Sequence, residues 1–202
     1  DVERIDRRYV QVPFRELPGE HLPWKLPEQG HLEVVEVVLS SGHVGHGDQL
    51  HYSYGRTDDA TVERVRGANA TALLWDDSLT QSLQVALFDA VGRALEVPAH
   101  ELLGEQVHER TPLAWWCLDY PAEDWLAECE TAIERGYTDV KLKGRPWRDV
   151  RAILDELSGE LPEEFAIDID FNDTLLDAER AIPILREVVS HPQVEIVEGP
   201  IP

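Results

Sequence analysis

The tightest constraint on this chain is a rhythm that starts near residue 110. Four short runs pattern as strands: TPLAWWCL (111–118), YTDVKLKG (137–144), FAIDIDFN (165–172) and VEIVEGPIP (194–202). Between them lie three amphipathic patterns that read as helices, at 122–136, 148–157 and 177–189. Pro183 is expected to bend the last one or to lie near its start. Strands that alternate with helices across short links demand a parallel sheet, because consecutive parallel strands need a crossover between them.

The first hundred residues follow a different pattern. RIDRRYVQVPF (4–14) and LEVVEVVL (32–39) read as strands, and Ser-Ser-Gly at 40–42 turns the chain back into HVGHGDQ. Residues 15–31 carry three prolines and two glycines in the span 18–30 and are expected to form a loop. In SLTQSLQVALFDAVGRAL, Leu79, Leu83, Ala86, Leu87, Ala90 and Ala94 recur every three or four positions, one apolar stripe of a helix with Asp77 or Ser78 as its cap. A short helix in PAHELLG ends at Gly104. The expected architecture is an α+β domain over 1–105, then a parallel α/β unit over 106–202.

Charge narrows the function classes. Forty acidic against 18 basic residues give a formal net charge of −22. Nucleic acid and anionic membrane surfaces both call for a positive face, so neither is an expected partner. No apolar run approaches the ~20 residues of a membrane span, and no basic start with an apolar core marks a signal peptide. The expectation is a soluble, cytoplasmic protein. Cys117 and Cys129 are too few for a disulfide framework and are expected to be small buried thiols.

The basic residues are unevenly chosen. Fifteen are Arg and three are Lys, namely Lys25, Lys141 and Lys143. Lys141 and Lys143 sit at the end of one expected parallel strand, Asp168, Asp170 and Asn172 at the end of the next, and Glu198 at the end of the last. Parallel α/β folds place their active sites at the carboxyl ends of strands, and side chains two apart share a face. Two adjacent amines repel, which is expected to lower the pKa of at least one and to make it a general base, a role closed to Arg. The bland alternative is a solvated face or ion pairing with the many carboxylates. Asp170 and Glu198 are expected to converge at the same mouth, where a Mg²⁺ ion between them or pairing with Lys141, Lys143 or Arg145 would each relieve their repulsion. For Asp168 an ion pair with a lysine is the simplest role.

Five segments in order resemble the enolase superfamily, in its mandelate racemase/muconate lactonizing enzyme branch: EVVEVVLSSGHVGHGD, ALFDAVGRALEVPAHELLGEQVHER, VKLKG, DIDFN and VEGPIP. The resemblance implies an α+β capping domain followed by the first four strands of a (β/α)₇β TIM-like barrel, truncated after the fourth. It implies Lys143 as catalytic base with Lys141 as its electrostatic partner, Asp170 and Glu198 as Mg²⁺ ligands, and Asn172 near substrate and metal. The implied reaction removes the proton α to a carboxylate to give an ene-diolate held by Mg²⁺ and Lys141. A small carboxylate is then the expected substrate. The outcome would be racemisation, epimerisation or cycloisomerisation, or dehydration of an acid sugar.

The same resemblance points to the capping-domain loops, with Trp24, Lys25, His51 and Tyr54, and to Arg145 and Trp147 after the lysine strand, as substrate-binding residues. It also implies that a third metal ligand and a second acid/base lie beyond this sequence. An (β/α)₈ barrel takes ~250 residues, so 202 are too few for a barrel and a companion domain. A homo-oligomer is expected, since an open strand edge invites pairing. The alternatives are a barrel aldolase with Lys143 as Schiff-base nucleophile, and a non-catalytic truncated homologue.

Overall fold

The computed structural model describes the backbone of residues 1–25 and 30–202, and the side chains of these except 23–25. The chain divides into two compact units, Asp1–Glu109 and Arg110–Pro202.

The first unit is built on an antiparallel sheet of β1 (Val2–Gln11), β2 (His31–Leu39) and β3 (Val44–Leu50), in that spatial order. In β2 every second residue is buried, so that Val35, Val37 and Leu39 line one face. Helix α4 (Gln81–Leu95) packs its stripe of Leu83, Ala86, Leu87 and Ala90 into the same core. The close approach depends on Gly45 and Gly47 in β3, since a Cβ on Gly47 would sit 2.6 Å from the backbone nitrogen of Ala86.

Glu33 shares the buried parity of β2 and is fully enclosed. Its carboxylate accepts from the Thr57 amide at 3.0 and 3.1 Å, from Thr57 Oγ1 at 2.8 Å and from Ser82 Oγ at 2.7 Å. These bonds supply what a buried charge requires. They also fasten the end of the 51–56 segment to the start of α4.

Three sequence expectations change in this unit. The segment expected to be a loop contains helix α1 (Glu16–Lys25). Pro18 falls in its first turn, where amide hydrogens have no acceptor within the helix, and Glu16 suits the positive end. Helix α4 starts at Gln81, two residues after Leu79, where the apolar stripe begins. Its cap position, Thr80, makes no capping bond, because Thr80 Oγ1 pairs with Thr57 Oγ1 at 2.5 Å. PAHELLG forms a 3₁₀ turn, Ala99–Leu102. Two short helices, α2 (His51–Tyr54) and α3 (Asp59–Val65), complete the unit, and Asp58 caps α3 through the Thr61 amide.

The second unit is a four-stranded parallel sheet ordered β4 (Trp115–Trp116), β5 (Asp139–Lys143), β6 (Ala166–Asp170), β7 (Val194–Glu198). Helices α5 (Ala122–Glu134), α6 (Val150–Glu160) and α7 (Ala178–Val188) make the crossovers. Val140, Leu142, Ile167 and Ile169 are buried on one parity, with Trp125, Cys129, Leu154 and Leu157 from the helices also fully enclosed. β4 is shorter than the expected 111–118 strand. Pro112 lacks a ladder donor, which suits a chain that joins the sheet only near its middle.

Candidate active site

The opposite parity of β5 and β6 carries Lys141, Lys143, Asp168 and Asp170. The parallel register sets Lys143 beside Asp170, and Asp170 beside Glu198 at the end of β7. Lys143 Nζ donates to Asp170 Oδ2 at 2.6 Å. Lys141 Nζ donates to Glu198 Oε2 at 2.6 Å and lies 3.1 Å from the same Asp170 oxygen. Two ammonium groups and two carboxylates thus form one cluster at the carboxyl ends of three adjacent strands. Asp170 is at its closed end, with a side chain 2% exposed, and Glu198 at its open end, 55% exposed.

The electrostatics follow from these contacts. Burial works against the Lys141 ammonium, but the hydrogen bonds and charges of Glu198 and Asp170 outweigh it, and its pKa is raised. Of the two amines expected to repel, Lys141 is therefore not one whose pKa is lowered, because two carboxylates stand beside it. Burial likewise opposes the Asp170 carboxylate, yet Lys143, the Asn172 amide and Lys141 hold its pKa down. Asp168 has no ion-pair partner among the described residues, contrary to expectation, because Lys141 reaches along the sheet to Glu198 instead. Burial, then Asp139 and Glu195, push the Asp168 carboxyl up.

Just past β6 the backbone turns sharply. Asn172 and Asp173 are left-handed, with φ of 46° and 61°. The Asn172 amide nitrogen donates to Asp170 Oδ1 at 2.8 Å, and its Nδ2 donates to Asp170 Oδ2 at 3.0 Å. Arg145 reaches over this turn and donates to Asn172 Oδ1 at 3.0 Å. Trp147 is 66% exposed, and its Nε1 is 3.4 Å from Asp119 Oδ2.

No protein-family profile matches the chain. Among curated proteins, the N-succinyl-L-Arg/Lys racemase of Bacillus cereus is 23% identical over 141 residues, 69% of this chain and 38% of that protein. Muconate cycloisomerase 1-1 of Acinetobacter lwoffii is 32% identical over 126 residues, 59% of this chain and 32% of that protein. A solved dipeptide epimerase from Methylococcus capsulatus, complexed with a Mg ion, aligns with all of this chain and 60% of its own, at a TM-score of 0.78 and 21% identity. These relatives share one superfamily, and their match runs through both units. They are proteins of the enolase superfamily, in its mandelate racemase/muconate lactonizing enzyme branch, and this chain is similar to them.

The similarity is to their N-terminal part, and the antiparallel sheet followed by four parallel strands is consistent with a capping domain and a partial barrel. The chain spans 38% and 32% of the lengths of the two curated relatives. No helix among the described residues is long and apolar enough to cross a membrane.

The structure brings together Lys141, Lys143, Asp170, Asn172, Arg145 and Glu198 in one unit of the chain. His51 and Tyr54 belong to the other unit, on α2. Tyr54 is exposed, and His51 Nδ1 is buried without a hydrogen-bond partner. The side chains of Trp24 and Lys25 lie outside the described residues. The sequence reading missed Asp119, which follows β4 and pairs with Arg148. Its signal was there to find: it is an acid just past a strand at the functional end of a parallel sheet.

The donor set fits a hard divalent cation in kind. Asp170 and Glu198 offer carboxylate oxygens from adjacent strands, and they already hold one cation, the Lys141 ammonium, between them. Mg²⁺ is commonly held by one or two carboxylates with water completing its shell. Among the described residues no cluster of three or more His, Cys, Asp or Glu accompanies them.

Proposed function

We propose that this chain carries the base and its electrostatic partner for removing the proton α to a carboxylate, in an isomerase of the racemase, epimerase or cycloisomerase kind. The observation that carries the reading is the cluster of Lys141, Lys143, Asp170 and Glu198 at the strand ends. Lys143, the more enclosed amine, is the base. Lys141, kept protonated by two carboxylates, is the fixed positive charge facing the substrate carboxylate as negative charge builds on its oxygens. Asp170 and Glu198 would hold Mg²⁺, which supplies Lewis-acid stabilisation of the same carboxylate.

The substrate class follows from the relatives' names. N-acylated amino acids and dipeptides both present a carboxylate beside a C–H of low acidity, the bond a positioned amine must break. Acid-sugar dehydration would use the same first step and then lose a β-hydroxyl. The racemase, epimerase and cycloisomerase relatives favour return of the proton over its loss. His51 and Tyr54, with Trp24 and Lys25, are the proposed substrate-reading residues of the capping domain.

The test follows α-proton exchange in D₂O. The full-length protein with Mg²⁺ is offered a panel of N-succinyl amino acids and dipeptides and read by NMR. Exchange is expected on at least one member. Lys143→Ala is expected to slow it by about 10²–10⁴-fold, the usual worth of a positioned base. Exchange at the wild-type rate in the folded variant removes Lys143 from the role.

A further inference from the structure

We propose that Arg145 is a positioning residue that locks the turn after β6, so that Asp170 presents its carboxylate in a fixed orientation to a divalent cation. This differs from the substrate contact expected from its sequence position. It rests on the reading of Asp170 as a metal-holding residue.

The guanidinium donates to four oxygens of neighbouring residues. One terminal nitrogen donates to Gly144 O at 2.7 Å, Phe171 O at 3.2 Å and Asp170 O at 3.3 Å, and the other to Asn172 Oδ1 at 3.0 Å. No carboxylate forms an ion pair with Arg145 among the described residues. For a half-buried cation without one, these four oxygens replace part of the hydration that burial removes. Three of the four are on residues 170–172, so the charge is satisfied only when the turn has this shape.

The turn in turn orients Asp170. With Asn172 Oδ1 taken by Arg145, the amide can only point its Nδ2 at Asp170 Oδ2, and the Asn172 backbone N–H fills Oδ1. Both carboxylate oxygens are thereby oriented from behind. Asn and Asp accept left-handed backbone more readily than other non-glycine residues, and the contacts around the turn fix two of them in succession. Arg145 supplies those contacts on the β5 side. On the β7 side Phe171 N donates to Glu198 O at 3.0 Å, and Asp173 N to Gly199 O at 2.6 Å.

Gly144 makes the reach possible. A Cβ there would lie 2.7 Å from both Ile169 Cγ2 and Phe171 Cε1, forcing β5 away from the turn. Lysine cannot replace Arg145, because an ammonium is a point donor and cannot fork across a side-chain amide and two carbonyls. Outer partners that orient a metal ligand typically carry a 10–100-fold share of metal affinity.

The experiment is isothermal titration of Mg²⁺ alone into the full-length protein. Arg145→Lys is expected to weaken binding by about 10–100-fold, and Asn172→Ala by a similar factor. The double variant is expected to lose less than the sum of the two single losses, because Arg145 acts in part through that amide. Arg151→Lys, on α6 and outside the cluster, is expected to bind as wild type. An affinity within twofold of wild type in folded Arg145→Lys overturns the inference, and so do additive losses in the double variant. If Arg145→Lys does not fold, Asn172→Ala decides alone, and unchanged affinity there overturns it. Wild type that fails to bind Mg²⁺ overturns the metal reading and this inference with it.

Discussion

Lys141 and Lys143 share a strand, a parity and a formal charge, but their neighbours separate them. Lys141 is bound between two carboxylates and Lys143 faces one. The i, i+2 spacing showed that both point the same way. The sign of the Lys141 shift needed the positions of Asp170 and Glu198, which come from strands far along the chain.

The cysteines offer a cleaner residue-scale prediction. Both are fully buried, and burial, with help from Glu128 and Glu130, pushes the Cys129 thiol up to about 12. An ordinary thiol titrates near ~8.5, so the folded state keeps a proton that the unfolded state releases. The resulting stability is present in full below that ordinary value and is lost as pH rises toward the folded one. At pH 8 the native protein is expected to show neither thiol reacting promptly with a disulfide reagent, and both reacting in guanidinium. A fast native reaction at Cys129 would contradict the enclosed site.

At the scale of elements, periodicity located most helices and strands but misjudged where they stop. The apolar stripe of α4 begins before the helix does, because Thr80 is recruited by Thr57 instead of capping the first turn. The prolines near residue 20 suggested a loop, yet a proline in a first turn is compatible with a helix, and α1 forms. The start of α4 is not a local outcome, so local pattern could not decide it. The glycines of β3, Gly45 and Gly47, have a role that lies outside their own strand. They mark the place where strand and helix backbones approach each other. Gly47→Ala is expected to destabilise the first unit by about 3 kcal/mol or more, since the added carbon meets backbone that cannot move aside. Chemical denaturation checks this, and Gly159→Ala, where a Cβ meets nothing within 4 Å, is the control.

For the molecule as a whole, two separate cores follow the division at Glu109 and Arg110. The first core draws only on residues between Val2 and Leu102. Residues 1–109 expressed alone are therefore expected to fold, with a cooperative thermal transition and dispersed amide resonances. A molten spectrum would show that this unit depends on the other.

The sequence by itself determined the alternation of strand and helix after residue 110, the parallel sheet that alternation requires, and the gathering of Lys141, Lys143, Asp170 and Glu198 at one end of it. Those features rest on chain periodicity, which is local and repeats every two or 3.6 residues. Only the tertiary structure decided which amine meets which carboxylate, that Arg145 spends its hydrogen bonds on a turn, and that Glu33 is a fully bonded charge inside a strand. Each of these depends on groups brought together from distant parts of the chain, and on how burial balances against the partners it brings, which no single stretch of residues contains.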